Sequence, residues 1–144
     1  MTRRWVFSVA VWLLGLTLGT GLGIAIGQQA PPTKTKGVDV KALGTIDLGP
    51  DIPGYQFRLR LATFEPGAVF AVHSHKERPG FAYILDGTLT AFFWREGLSR
   101  PGEYKKEELG PGGFMVESRD LVSHWVENRG TTKVVLLAVD IIKP

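Results

Sequence analysis

From about residue 38 onward the sequence predicts an all-β domain, a sandwich or barrel of about eight to ten short strands. Three observations predict it. "YQFRLRLATF" alternates, with Tyr55, Phe57, Leu59 and Leu61 on one parity and Gln56, Arg58 and Arg60 on the other, the two-residue period of a strand with unlike faces. Apolar runs of strand length are punctuated at short intervals by Gly, Pro, Asn and Asp. No stretch after residue 30 keeps a helical period through three turns.

The chain opens differently. "MTRRWVFSVAVWLLGLTLGTGLGIAIG" places two arginines ahead of an uncharged, mainly apolar run from Trp5 to Gly27. Residues 1–27 are therefore expected to form a hydrophobic helix that is either a cleaved signal peptide or a transmembrane anchor. Small residues at Ala25 and Gly27 suit cleavage after Gly27, whereas Gly15, Gly19, Gly23 and Gly27 form a small-xxx-small face on which spanning helices pack. In both cases Arg3 and Arg4 stay cytoplasmic, and the domain is expected in the periplasm or on the extracytoplasmic face of the membrane. Residues 28–42, with "QQAPPTKTKG", read as a linker, and 43–144 as the domain.

Within the domain the elements follow in order. "YQFRLRLATF" is a strand, "EPG" at 65–67 a turn, and "AVFAVHSH" a second strand. "FAYILDG" is a strand that ends in a turn, and "TLTAFFW" another. Arg95 to Gly113 is loop-rich, with one short strand expected near Tyr104. "HWVEN" and "KVVLLAVDII" close the chain as strands around the turn "RGTT". Phe81, Phe92, Phe93 and Trp94 read as core or interface aromatics, and Trp125 as packing on the face opposite His124.

Composition excludes several functions. No cysteine is present, so disulfides, thiolate zinc sites and cysteine nucleophiles are ruled out. Setting aside Arg3 and Arg4 leaves 15 basic against 14 acidic residues, scattered along the chain, which gives no footprint for nucleic acid.

Two of the three histidines, His73 and His75, stand one residue apart at the end of a strand, so both imidazoles project to one side and can reach one metal ion. Gly67 stands six before His73, giving G-x5-H-x-H, and the next strand ends at Gly87. The third histidine, His124, is followed by Asn128 at H-x3-N, downstream of the glycine-rich turn "GPGG". With these motifs the sequence resembles the cupin superfamily, whose two motifs read G-x5-H-x-H-x3 or 4-E-x6-G and G-x5-P-x-G-x2-H-x3-N. The resemblance covers roughly residues 43 to 144 and implies a single small double-sheet jelly roll, a metal site in the barrel mouth and a homodimer. It places metal ligands at His73, His75 and His124. The glutamate of the family pattern falls on Gly80, or on Pro79 in the alternative spacing, and the second motif has Arg119 and Leu121 in place of its proline and second glycine.

Three imidazoles and water suffice to hold a divalent transition metal ion (Fe, Zn, Mn, Ni or Cu) in an open site, and such a site looks like that of thiol and diketone dioxygenase cupins. Glu77, two residues past His75, is a further candidate ligand, although "KERPG" is expected to break the strand there. Gln56, Arg58, Arg60 and Tyr83 are candidates for the pocket wall, and Asn128 joins them through the second motif. Glu117 and Asp120, just before His124, could donate the carboxylate that fixes an imidazole tautomer. The function expected is a metal-dependent cupin enzyme, dioxygenase- or isomerase-like, acting on a small polar molecule; the alternative is a non-catalytic module that binds a small ligand or metal.

Overall fold

The computed structural model describes residues 29–97 and 103–144; the expected helix over 1–27 lies outside them. Eight strands follow in chain order: β1 Lys36–Asp47, β2 Gln56–His73, β3 Gly80–Asp86, β4 Leu89–Arg95, β5 Lys105–Leu109, β6 Phe114–Glu117, β7 Leu121–Glu127 and β8 Val134–Ile142. They form one antiparallel sheet in the order β5-β4-β7-β2-β8-β3-β6, with β1 also paired to β2, and it curls into a nearly closed jelly-roll barrel. The expected all-β class is what the chain adopts. Among the described residues no helix is long and apolar enough to cross a membrane.

The longest strand organises the barrel. β2 pairs with β8 from Gln56 to Phe64 and then with β7 from Val69 to His73. Between the two pairings lie Glu65, Pro66 and Gly67, the last at φ 76°. The stretch expected as a turn is a bend at which one strand leaves one neighbour and joins another. Pro66 has no N–H to spend on a ladder, and the Gly67 N–H donates to the Asn128 carbonyl at 2.9 Å.

β1 starts at Lys36, inside the segment whose composition reads as a linker, and residues before it also engage the domain. The Val72 N–H donates to the Pro32 carbonyl at 2.8 Å, and the Ala71 N–H donates to Thr35 Oγ1 at 3.0 Å. These bonds pair N–H groups of β2 with the segment before β1, a long-range pairing that lies outside the composition of residues 28–42.

Inside the barrel, β2 presents Arg58, Arg60, Ala62 and Phe64, the parity that carries the arginines. The other parity faces out, with Phe57 exposed. Small inward residues, Ala62, Ala82 and Ala138, line a cavity of about 50 Å³ above a packed floor that includes Leu89 and Leu136. On the opposite side of the β4–β7 sheet, fully buried Trp125 stacks on Phe92 at 4.5 Å and meets the edge of Tyr104 at 4.6 Å. Its Nε1–H donates to Glu127 Oε1 at 2.8 Å, so Trp125 is packing, as its parity predicts.

One close approach is decisive for the site. Gly80 pairs on one side with Glu117 and on the other with Asp140. A Cβ at Gly80 would lie 2.0 Å from the Val139 carbonyl oxygen and 2.9 Å from the Asp140 Cα, so backbone rather than a flexible side chain would have to move. We expect Gly80→Ala to cost about 3 kcal/mol, the upper end of overpacking penalties, measured by urea unfolding; a change below 0.5 kcal/mol would show that β3 and β8 can part.

Candidate metal centre

His73 ends β2 and His124 sits in β7, and the two are direct cross-strand partners. Their ring centroids lie 4.2 Å apart. His75 follows the end of β2 in a turn closed by the Arg78 N–H to the His75 carbonyl at 3.1 Å. Its ring centroid is 5.0 Å from each of the other two. One ring nitrogen from each imidazole falls within 4.8 Å of the others.

Hydrogen bonds dictate which nitrogens face inward. His73 Nδ1 is 2.8 Å from the Ala71 carbonyl, and His75 Nδ1 is 3.1 Å from the Arg78 carbonyl. Carbonyls only accept, so both Nδ1 atoms carry the proton and both Nε2 atoms of the neutral rings present bare lone pairs. Those two Nε2 atoms face each other at 3.1 Å. His124 is 1 % exposed, and neither of its ring nitrogens has a hydrogen-bond partner. Buried polar atoms are rarely left in this condition.

Burial also keeps the rings neutral. Desolvation, aided by the other imidazoles and Arg78, pushes His75 down to about 4 and His124 well below its usual 6.5. Desolvation lowers His73 as well, against the Ala71 hydrogen bond. Neutral imidazole is the ligand form.

The donor set fits a transition metal. Two nitrogens about 2.0–2.1 Å from one ion, at right or tetrahedral angles, stand about 2.8–3.4 Å apart, which brackets the observed 3.1 Å. His73, His75 and His124 would hold such a cation, which would replace lone-pair repulsion with attraction and give buried His124 a partner.

A carboxylate does stand beside the imidazoles, from an unexpected strand. Glu117 is 5 % exposed, with Oε2 3.1 Å from His75 Nδ1 and Oε1 3.9 Å from His124 Nε2. It is the cross-strand partner of Gly80, where the family pattern has its glutamate, so β6 brings a carboxylate to the face from which β3 cannot. Burial raises Glu117 to about 7, against the lowering charges of Arg60 and Arg78.

The other sequence candidates divide. Arg60 lines the cavity with the histidines and Glu117. Arg58 is bound by its Nε and Nη2 to Asp140 at 3.0 and 2.7 Å. Glu77 is exposed, because the turn that folds Arg78 back to His75 carries it outward, so the carboxylate near the imidazoles is Glu117 instead. Tyr83 is on the outer face of the barrel at 46 % exposure. Asp120 pairs with Arg95 at 3.2 Å and with Ser118, away from the rings. Asn128 is buried in the turn after β7, donating to the Phe64 and Thr132 carbonyls at 3.0 and 2.8 Å. Gln56 opens β2 opposite Ile142 and does not line the cavity.

Two residues escape a reading by motif. Arg78 lines the cavity, and fully buried Asp140 holds Arg58, Arg60 and Arg78 at 2.7, 2.8 and 3.5 Å. The signal for Asp140 was a lone charge inside the apolar run "VVLLAVDII".

With fold and site described, the class of protein is clear: a family model for the cupin domain matches residues 60–140, more than half of the chain, and the chain belongs to the cupin family. The cupin domain of Schizosaccharomyces pombe Cnp3 is similar in structure, with TM-score 0.56 at 16 % identity, covering 80 % of this chain and 68 % of that one. Oxalate oxidase in complex with the substrate analogue glycolate is similar at TM-score 0.56 and 17 % identity, over 74 % of this chain and 55 % of that one. The Drosophila melanogaster CENP-C cupin domain aligns at TM-score 0.51 and 14 % identity, over 62 % and 68 %. The chain thus spans between about half and two thirds of these neighbours. No curated protein matches the sequence.

The buried imidazoles make stability depend on pH. Their folded pKa values lie below 6.5, with His75 near 4, so their contribution is complete above about 6.5 and lost as pH falls toward 4. Glu117, raised from 4.5 to about 7, runs the other way, contributing fully below 4.5 and losing that contribution as pH rises through 7. Three imidazoles outweigh one carboxyl. The chelator-treated protein should therefore melt lower at pH 5 than at pH 7, by differential scanning calorimetry, and the gap should narrow in His124→Asn. An equal or higher melting temperature at pH 5 would contradict the burial of neutral rings.

Proposed function

We propose that this cupin holds a divalent transition metal (Fe, Zn, Mn, Ni or Cu) on His73, His75 and His124, and acts as a metal-dependent enzyme on a small polar molecule, in the manner of dioxygenase- or isomerase-type cupins. The observation that carries the reading is the pair of Nε2 lone pairs facing each other at 3.1 Å beside an unpartnered, buried His124. A metal bound by three imidazoles supplies Lewis-acid or redox chemistry at its open positions. The chain's own part is to orient the rings through the Ala71 and Arg78 carbonyls, to hold Glu117 against His75, and to exclude bulk water with Phe64, Phe70 and Met115.

Gly80 favours a second reading, a non-catalytic module for a small ligand or metal, because the family's carboxylate is missing from its usual strand. Iron-loaded protein that consumes oxygen with a small thiol, diketone or phenol, and stops doing so in His124→Ala, decides for the enzyme. We place the domain on the extracytoplasmic side, a reading supported by Arg3, Arg4 and the apolar run that follows them. We also assign a homodimer, supported by the outward row Phe81, Tyr83, Phe114 and Val116, cross-strand partners on β3 and β6 that are all exposed.

The full chain, purified without a histidine tag or chelator, should carry about one transition metal per chain by elemental mass spectrometry. His73→Ala, His75→Ala and His124→Ala should each lose at least nine tenths of it, and Glu77→Ala almost none. Unchanged metal in all three histidine variants removes the centre. Light scattering should report a dimer that Phe81→Asp with Phe114→Asp converts to a monomer; a wild-type monomer sinks the dimer.

A further inference from the structure

The cavity beside the imidazoles has an electrostatic bias that the metal reading does not use. Arg58, Arg60 and Arg78 converge on one carboxylate, Asp140, and Oδ2 alone takes contacts from all three, at 2.7, 2.8 and 3.5 Å. That oxygen is saturated. Arg60 Nε is buried without any partner, and Arg78 reaches Asp140 only at the limit of a hydrogen bond. Both side chains line the cavity that the three histidines line. Counting Asp140 and Glu117 as fully ionised, three guanidinium charges still exceed two carboxylates, and neutral imidazoles bring no anionic charge to offset an ion. Cations in excess in this part-buried cluster, whose guanidinium side chains are 16–33 % exposed, favour an anion.

Resting on the metal reading of the same site, we infer that the cavity takes a small carboxylate, gripped by the free donors of Arg60 and Arg78 with its other end toward the imidazoles. A guanidinium fork matches a planar carboxylate. The volume sets the size: about 50 Å³ against about 10–15 Å³ per water leaves room for a molecule of two or three carbons. The wall sets the class, because Phe64, Phe70, Met115 and Leu136 offer carbon a surface that inorganic phosphate cannot use. Arg78 also couples the anion to the centre, since its carbonyl accepts from His75 Nδ1.

The test uses the full chain in mild detergent, with and without cobalt(II), and titrates acetate, glycolate and oxalate by calorimetry. Acetamide and glycolamide serve as neutral counterparts, and inorganic phosphate as the competing anion. Metal content is read separately by elemental analysis. At least one carboxylate should bind at least tenfold tighter than its amide and shift the cobalt(II) visible spectrum. Arg78→Gln should weaken that binding tenfold or more while metal content and melting temperature stay near wild type. Arg78 makes the weakest contact to Asp140, so the fold should tolerate its loss; Arg60→Lys, which keeps the charge and loses the fork, should give an intermediate effect. Equal affinity for acid and amide, tighter binding of phosphate, or an unchanged constant in Arg78→Gln would each overturn the carboxylate assignment while leaving the metal centre standing. Arginine-dependent carboxylate binding by a protein that takes up no cobalt(II) would do the reverse, supporting the anion grip and removing the centre.

Discussion

A single buried carboxylate, Asp140, holds the mouth of this barrel together. It is 0 % exposed near the end of β8 and ties Arg58 and Arg60 of β2 and Arg78 of the loop before β3 to one point. Burial on its own would raise its pKa, yet the Arg58 hydrogen bonds and the charges of Arg60, Arg58 and Arg78 hold it below the usual carboxylate value. Removing Asp140 would leave three part-buried cations, 16–33 % exposed, close together without their counter-charge, at a cost below the about 3–5 kcal/mol of a fully buried pair because water reaches the guanidinium groups. The polar layer therefore specifies how β2, β8 and the His75 turn meet, and the imidazoles inherit their positions from it.

How much of this could be read from the sequence follows from the range of each interaction. His73 and His75 were legible because a strand's period of two is local, and His124 because a motif places it. The arginine parity of β2 was legible as a parity but not as a direction. A strand with arginines on one face ordinarily turns that face to water; here Asp140, far along the chain, makes the interior the better place for them. Glu117 could be suspected as a partner for an imidazole, but its pairing with Gly80 is a matter of register between β3 and β6. Register between strands joined by a long connection is settled by the whole sheet. Asn128 shows the opposite failure, a motif residue whose amide closes a turn and never faces the cavity.

The exchange between Gly80 and Glu117 explains how the barrel differs from its family pattern. β3 approaches β8 so closely at Gly80 that no side chain fits. The space a family glutamate would cross is filled by β8 backbone, at the residue that delivers Asp140. Closeness there and the arginine layer are thus one feature. A carboxylate reaches the imidazoles only from the next strand over, and it arrives at His75 Nδ1, the nitrogen that already serves the Arg78 carbonyl, rather than at the inward Nε2. Glu117 thus stands on the outer side of the His75 ring, its Oε2 3.1 Å from Nδ1, where an outer carboxylate stands in a carboxylate–histidine–metal triad.

That displacement changes the charge at the centre. A glutamate bound directly would neutralise half of a divalent ion, whereas three neutral imidazoles neutralise none. Arg60 and Arg78, on the same cavity, add to the positive potential instead of relieving it. A divalent ion held there would bind more weakly than at a centre with a carboxylate ligand, and an anion beside it would strengthen its hold, since each charge stabilises the other. Metal and anion would then be linked by reciprocal coupling: an anion accepted by the arginines would raise the affinity for the ion by the factor with which the ion raises affinity for the anion. The arginine layer that builds the mouth of the barrel would thereby also make a metal held on the imidazoles respond to an anion.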